Sequence, residues 1–354
     1  MVFVLGYTQR IKGDFIMILS FDKIKEITLG AFETSVSDGL MYFDRFSEGQ
    51  REHYKNIWKD FYDRTFCTSG IKLSFATDSK TLGLDVSVPL ASGRNYFAFD
   101  VVSDGKLIGS IDNYSECDMS GIYCYREYEL GDFKKEFYLG DGTKNVCIYF
   151  PWSARGVIRE LSLDDGSFVE PVIPSKKIIM YGDSITQGYD ALNPSMTYAE
   201  RFCSMMGAQI FNKGIGGAKF FPEVATEGDG FMPDLITVAY GTNDWSNELD
   251  YDTLYSNCKA FFANLTGLYK GTPIFAITPI WRKDYTMEKP FGDFLNIPSC
   301  IRKATEEYSN IKVIEGFDFV PHDELLYADR NLHPNNEGFS HHCQNLFNAI
   351  SKEL

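Results

Sequence analysis

The chain has 354 residues but only five histidines, no C-x-x-C pair and no Cys/His spacing suited to zinc, which argues against a metal site. Its eight cysteines (Cys67, Cys117, Cys124, Cys147, Cys203, Cys258, Cys300 and Cys343) are scattered, and a chain this long has no need of disulfide staples. They read as reduced thiols of a cytoplasmic protein. Basic residues are also scarce, with 34 Lys and Arg against 49 Asp and Glu for a net charge of −15. Such a surface is repelled by phosphate backbones and anionic lipid headgroups, so neither nucleic acid nor a membrane surface is expected as a partner. No apolar run approaches the length of a membrane span. The opening MVFVLGYTQRIKGDFIMIL lacks the basic start and apolar centre of a secretory leader. Because a more ordinary opening follows Met17, both Met1 and Met17 remain open as starts.

What is present divides into two halves, and at this length two domains are the better expectation. From about Gly70 to Leu163, stretches such as TLGLDVSVPL and GVIRELSLDDG alternate apolar and polar residues. They are broken by Asp-Gly and Ser-Gly turns, the pattern of short antiparallel strands packed as a jelly-roll-like β-sandwich. Ahead of them, FSEGQREHYKNIWKDFYDRT reads as an irregular or partly helical charged lead-in. The Pro-containing stretch 166–177 reads as a linker, placing a β-sandwich domain at 1–172 and a second domain at 173–354. Beyond it, near-continuous apolar runs (KIIMYG, AQIFNKG, DLITVAYG, PIFAITPI and IKVIEGF) alternate with helical stretches, among them a helix over 297–309. The last helix starts near Glu337 and sets Phe339, Cys343, Leu346, Phe347 and Ile350 on one face. That grammar implies an α/β fold: a parallel sheet covered by helices on both faces, with its ligand at the carboxyl ends of the strands.

Short polar signals follow those strands. Gly182-Asp183-Ser184 ends the first, NKGIGGAKF the second and YGTNDW the third, while LHPNNEG precedes the last helix. A serine hydroxyl becomes a nucleophile when an imidazole takes its proton and donors receive the oxyanion that forms. His53 lies in the lead-in, and His341 and His342 are helix neighbours that cannot both face the sheet edge. His322 follows the last strand as a distant second candidate, which leaves His333 as the base. The Ser184 N–H, a glycine N–H of GIGG and the Asn243 amide would supply the donors. The GIGGAK stretch has neither G-x-G-x-x-G spacing nor a Walker lysine, so no nucleotide cofactor is expected. Asp183 reads as a turn-stiffening residue. Trp245 and Trp281 read as packing residues or, alternatively, as an aromatic platform for a sugar.

The ordered blocks GDSITQG, NKGIGG, GTND and LHPNNEG resemble those of the GDSL, or SGNH, hydrolases. The resemblance implies Ser184 as nucleophile, His333 as general base, and Gly217 and Asn243 as oxyanion donors beside the Ser184 amide. It also implies a three-layer α/β/α hydrolase domain that needs no cofactor. One position departs from the pattern. The family's acid stands three residues before the histidine, where this chain has Arg330, while Asp329 lies four before. An i,i+4 pair can still close through one α-type turn, so Asp329 is the expected acid. A Ser-His dyad is the competitor, and Asp323 and Asp318 are remoter alternatives. The first half resembles the sandwich that precedes this domain in carbohydrate-esterase-like bacterial members. On that resemblance the expected activity is a serine esterase deacetylating O-acetylated saccharides, with a small-molecule or oligosaccharide ester as substrate. The rivals are a lipase, lysophospholipase or thioesterase acting on longer acyl chains, and a catalytically weak glycan-binding protein.

Overall fold

The computed structural model describes residues 16–354 apart from Glu248. The choice between Met1 and Met17 turns on residues that lie almost wholly outside this range.

Two antiparallel sheets form the first half. One runs Glu33–Ser37, Leu40–Asp44, Val157–Asp164, Thr81–Val88 and Gly131–Tyr138, with Ile16–Ile18 added alongside Val157–Asp164. The other runs Glu170–Pro171, Lys72–Thr77, Lys144–Tyr149, Ala98–Ser103 and Lys106–Asp112, with Thr28–Leu29 added alongside Lys72–Thr77. Alternation explains the sandwich. Along Thr81–Val88 every second residue is buried, so Leu82, Leu84, Val86 and Val88 meet Phe75, Phe99 and Ile148 between the sheets. Each such side chain contributes roughly 1.5–3 kcal/mol by leaving water.

Two expectations need correction. Among the described residues the sandwich already includes Ile16, well before Gly70, because the strands from Ile16 to Asp44 pair into both sheets. They were hidden by weak alternation, since Glu33–Ser37 buries none of its residues. The stretch 166–177 is also no free tether: Glu170–Pro171 pairs with Phe75–Ala76 as a sheet edge, where a proline without an N–H is tolerated. The charged lead-in forms two helices, Glu48–Ile57, started by a Ser47/Gln50 capping box, and Lys59–Thr65.

The second half is a five-stranded parallel sheet in the order Ala208–Gly214, Lys176–Gly182, Leu235–Ala239, Ile274–Ile277 and Ile311–Ile314. Helices Tyr198–Met205 and Asn336–Ser351 cover one face. Helices Tyr251–Leu268 and Ile297–Thr305 cover the other, completing three layers. The penultimate helix is shorter than the 297–309 expected, and the strand order reverses beside Lys176–Gly182. In open α/β sheets that reversal is where ligands bind.

Polar bonds, many of them buried, join the halves. Lys72 of the sandwich reaches Glu200 of the hydrolase half at 2.6 Å, both side chains at most 7% exposed. The Arg45 guanidinium donates to the carbonyls of Asn212 (2.8 Å) and Gly214 (3.1 Å), and the Ser69 hydroxyl donates to the Gln187 carbonyl (2.6 Å). Trp152 Nε1 donates to the Ala191 carbonyl, while Gln187 Nε2 donates to the Trp152 carbonyl. A buried charge stripped of its partner is costly, whereas an apolar pair of similar volume is tolerated. Lys72→Met should therefore lower stability by about 3 kcal/mol in urea unfolding, and Lys72→Met/Glu200→Leu should recover most of the loss. Equal losses in the single and double variants would show that the pair does not join the halves.

Candidate active site

The strand Lys176–Gly182 delivers the chain to Asp183, which N-caps a one-turn helix, Ser184–Gln187, by accepting the Ile185 N–H at 2.9 Å. The corner is closed by glycine. A Cβ on Gly182 would lie 2.0 Å from the Thr186 hydroxyl, and Gly188 ends the turn at φ +109°. Ser184 is thereby held at the first helical position, its own N–H outside the helix's bonding ladder. Burial lifts the Asp183 carboxyl to about 6, and its capping bond, rather than any contact with the imidazole, is what the geometry records.

Ser184 Oγ lies 2.8 Å from His333 Nε2, and His333 Nδ1 lies 2.7 Å from Asp329 Oδ2. With the imidazole proton on Nδ1 and directed to Asp329, Nε2 is left to accept from the serine hydroxyl. The departure from D-x-x-H has a local explanation. Arg330 takes a left-handed conformation at φ +60°, which absorbs one additional residue between acid and base. Its side chain reaches the Glu324 carbonyl and leaves the imidazole alone. Asp329 Oδ1 meanwhile accepts the N–H groups of Asn331, Leu332 and His333 at 2.9, 2.8 and 3.1 Å. Burial opposes ionisation of this carboxyl. The His333 bond and charge and those backbone donors outweigh it and hold the group well below the ordinary carboxylate range.

The oxyanion candidates each keep an unused N–H. Gly217 stands at φ +80° at the end of the Ala208–Gly214 strand's loop, and among the described residues its N–H donates to no protein acceptor. Asn243 sits in the short helix Thr242–Ser246, where Nδ2 gives one hydrogen to the Ala218 carbonyl at 3.0 Å and keeps the other. His322 lies outside this set, 3.1 Å from Asp318 and stacked on Trp281. The tryptophan platform is not built. Trp245 is fully buried with its N–H on the Gly292 carbonyl, and Trp281 is 7% exposed.

Sequence reasoning missed Asp190 and Arg94. Asp190 Oδ2 lies 3.4 Å from His333 Nδ1 as a second carboxylate facing the base. Arg94 of the sandwich half binds both its oxygens, Nε to Oδ1 at 2.7 Å and Nη2 to Oδ2 at 3.0 Å, and the Tyr96 hydroxyl donates to Oδ1 at 3.0 Å. Asp190 follows directly on the nucleophile block, an available signal. Arg94 lies 96 residues earlier in sequence and carried none. Asp190, Asp329 and His333 are also, among the described residues, the one cluster with metal-ligand composition. Their lone pairs are already engaged by Arg94, Tyr96 and three backbone N–H groups, which suits an acid-base set better than a cation.

The serine-imidazole-carboxylate contacts lie at the switch point of a parallel sheet. Residues 180–340 match the GDSL-like lipase/acylhydrolase family. No curated protein matches the chain. Among solved structures, it is similar to the salicylyl-acyltransferase SsfX3 of a tetracycline biosynthetic pathway, with TM-score 0.78 and 19% identity over 97% of this chain and 98% of that one. A protein of Bacteroides ovatus ATCC 8483 described as a GDSL-like lipase gives TM-score 0.74 and 20% identity over 96% and 98%. A family two carbohydrate esterase of Cellvibrio japonicus gives 0.63 and 16% over 96% and 98%. These likenesses establish a shared fold across both halves.

Burial lowers the His333 pKa, but the Asp329 bond and the Asp190 and Asp329 charges outweigh it, so the imidazole pKa rises above 6.5. A base acts in its neutral form, so the acidic limb of kcat/KM should fall above pH 6.5. Asp190→Asn removes one of the raising charges and leaves Arg94, a lowering one, unpaired. The limb should then move to lower pH, and an unmoved limb would show that Asp190 does not act on the base.

Proposed function

We propose that the protein is a serine esterase working through an acyl-enzyme. The observation that carries this reading is the continuous contact from Ser184 Oγ through His333 to Asp329. Ser184 Oγ attacks the ester carbonyl carbon while His333 Nε2 takes the hydroxyl proton. The Asp329 carboxylate stabilises the imidazolium. The Ser184 and Gly217 N–H groups and the Asn243 amide donate to the oxyanion. Collapse of the tetrahedral intermediate breaks the ester C–O bond, and His333 returns the proton to the leaving alcohol. Water, activated by the same imidazole, then releases the acid and regenerates the serine.

The substrate in this reading is an O-acetylated saccharide. Two features support it: the sandwich-plus-hydrolase arrangement shared with a family two carbohydrate esterase, and an aromatic at the rim. Tyr125 is 67% exposed, lies over the Arg94 guanidinium at 4.6 Å and is close enough for the Asp329 charge to add to burial in raising its phenol pKa. An exposed ring beside the reacting groups suits a sugar face. The eight unpaired cysteines support a reducing, cytoplasmic setting.

A panel of p-nitrophenyl esters of rising chain length beside acetylated oligosaccharides tests the reading. Turnover should peak at acetyl; a peak at eight or more carbons favours a lipase or thioesterase, and transfer to an added alcohol in preference to water favours an acyltransferase. Ser184→Ala and His333→Ala should lose roughly 10⁴- to 10⁶-fold in kcat, and fluorophosphonate should label only enzyme that retains Ser184. Asp329→Asn should lose about 10³-fold or more; a loss under about tenfold would make the site a Ser-His dyad. Asn243→Ala should cost about 10² to 10³ in kcat with KM little changed.

A further inference from the structure

The Gly216–Gly217 peptide has two functional ends. Its N–H, on Gly217, is the proposed oxyanion donor. Its carbonyl oxygen, on Gly216, accepts a bond from Arg64 Nη1 at 2.5 Å. A peptide unit is planar, with C=O and N–H pointing in opposite directions, so whatever holds the oxygen also aims the N–H. The two ends are electronically coupled as well. A charged donor on the oxygen draws density from the nitrogen and strengthens the N–H as a donor, the cooperativity of linked hydrogen bonds.

The surroundings leave this peptide dependent on that grip. Neither residue can carry a side chain: a Cβ on Gly216 would lie 2.4 Å from the Tyr189 hydroxyl, and one on Gly217 would press on Phe61 and Arg64 at 3.2 and 3.3 Å. The Gly216 N–H is tied to Gln187 Oε1 at 2.7 Å, which fixes the preceding peptide and not this one. Arg64 comes from the helix Lys59–Thr65, outside the matched hydrolase segment, and its guanidinium lies 5.7 Å from the rings of both Trp58 and Phe61. Among the described residues it forms no ion pair with a carboxylate, so its charge is not neutralised by the protein.

We propose that Arg64 is a positioning residue of the oxyanion hole, orienting and polarising the Gly216–Gly217 peptide so that its N–H receives the charge developing on the substrate carbonyl. This rests on the esterase reading. Arg64 touches neither substrate nor serine in this role; it acts through the peptide.

The chain contains a single Gly-Gly sequence, at 216–217. Protein labelled with [1-13C,15N]glycine therefore gives a single peak in a carbonyl-to-amide correlation spectrum, and that peak is this peptide. In Arg64→Met, which keeps the apolar stem, the 13C resonance should move upfield and the amide proton with it. On an acetyl ester, kcat should fall about tenfold, less than for outright loss of a donor, with KM within about twofold. Arg64→Lys, which retains a cation able to reach the carbonyl, should restore part of both readouts. A merely structural role would leave the peak in place or reduce the folded fraction without altering kcat per folded molecule. An unmoved peak overturns the proposal, and so does a rise in KM at constant kcat, which would make Arg64 a binder of anionic substrate. Wild-type protein that turns over no ester sinks the esterase reading instead, and the resting-state peak still decides whether Arg64 sets this peptide.

Discussion

A single buried guanidinium organises the meeting of the two halves. Arg45, 2% exposed, ends a sandwich strand and gives its donors to four backbone carbonyls, those of Cys67, Arg64, Asn212 and Gly214. Burial depresses its pKa to about 10, which leaves it charged at neutral pH. Asn212 and Gly214 lie at the carboxyl end of the strand that runs into the oxyanion glycines. The Arg64 carbonyl belongs to the residue whose side chain holds those glycines from the other side. The sandwich half therefore supplies bonds that hold the backbone leading into these glycines. Lys213 adds to the junction, donating to the Arg45 carbonyl at 2.5 Å while paired with Asp229.

Charge is distributed in an unequal way that suits ester chemistry. The chain as a whole carries −15, yet three arginines from the sandwich half, Arg45, Arg64 and Arg94, bond the Gly214 carbonyl, the Gly216 carbonyl and the Asp190 carboxylate. In the proposed mechanism Arg64 polarises the peptide that would receive the developing charge, an arrangement that costs no reorganisation when the reaction occurs. The carboxylates beside the base have the complementary task. Asp329 bonds the imidazole directly, whereas Asp190 faces Nδ1 with its own charge offset by Arg94. The base thus feels one full acid and one compensated acid.

The readily legible parts of the sequence were those where chemistry and local backbone coincide. Gly182-Asp183-Ser184 reads as a strand-to-helix corner because only small residues fit it, and the parallel sheet reads from apolar runs of even length. Asp329 was legible as an expectation from the family resemblance together with its i,i+4 spacing, though the left-handed Arg330 that makes the spacing work was not, since arginine carries no preference for that conformation. Among the early strands, Glu33–Ser37 buries none of its residues and leaves no period, while Ile16–Ile18 and Thr28–Leu29 are too short to show one. Arg45, Arg64 and Arg94 were invisible for a different reason. Each acts on backbone or carboxyl groups distant in sequence, and no local pattern encodes a contact of that kind. The tryptophans misled in the opposite direction: a large aromatic after a strand is equally at home in the core, which is where Trp245 lies.

The edge strand Glu170–Pro171 makes the passage between the halves a seam instead of a hinge. A clamshell opening would have to part Lys72 from Glu200 and withdraw Arg45 from the carbonyls of Asn212 and Gly214. Closure of the halves around a substrate would have to break the same bonds that assemble the junction. In the proposed esterase, selection among esters then falls to the fixed outline of the site and to exposed side chains beside it such as Tyr125. A rigid gauge of this sort admits or refuses a molecule by outline, before any chemistry begins.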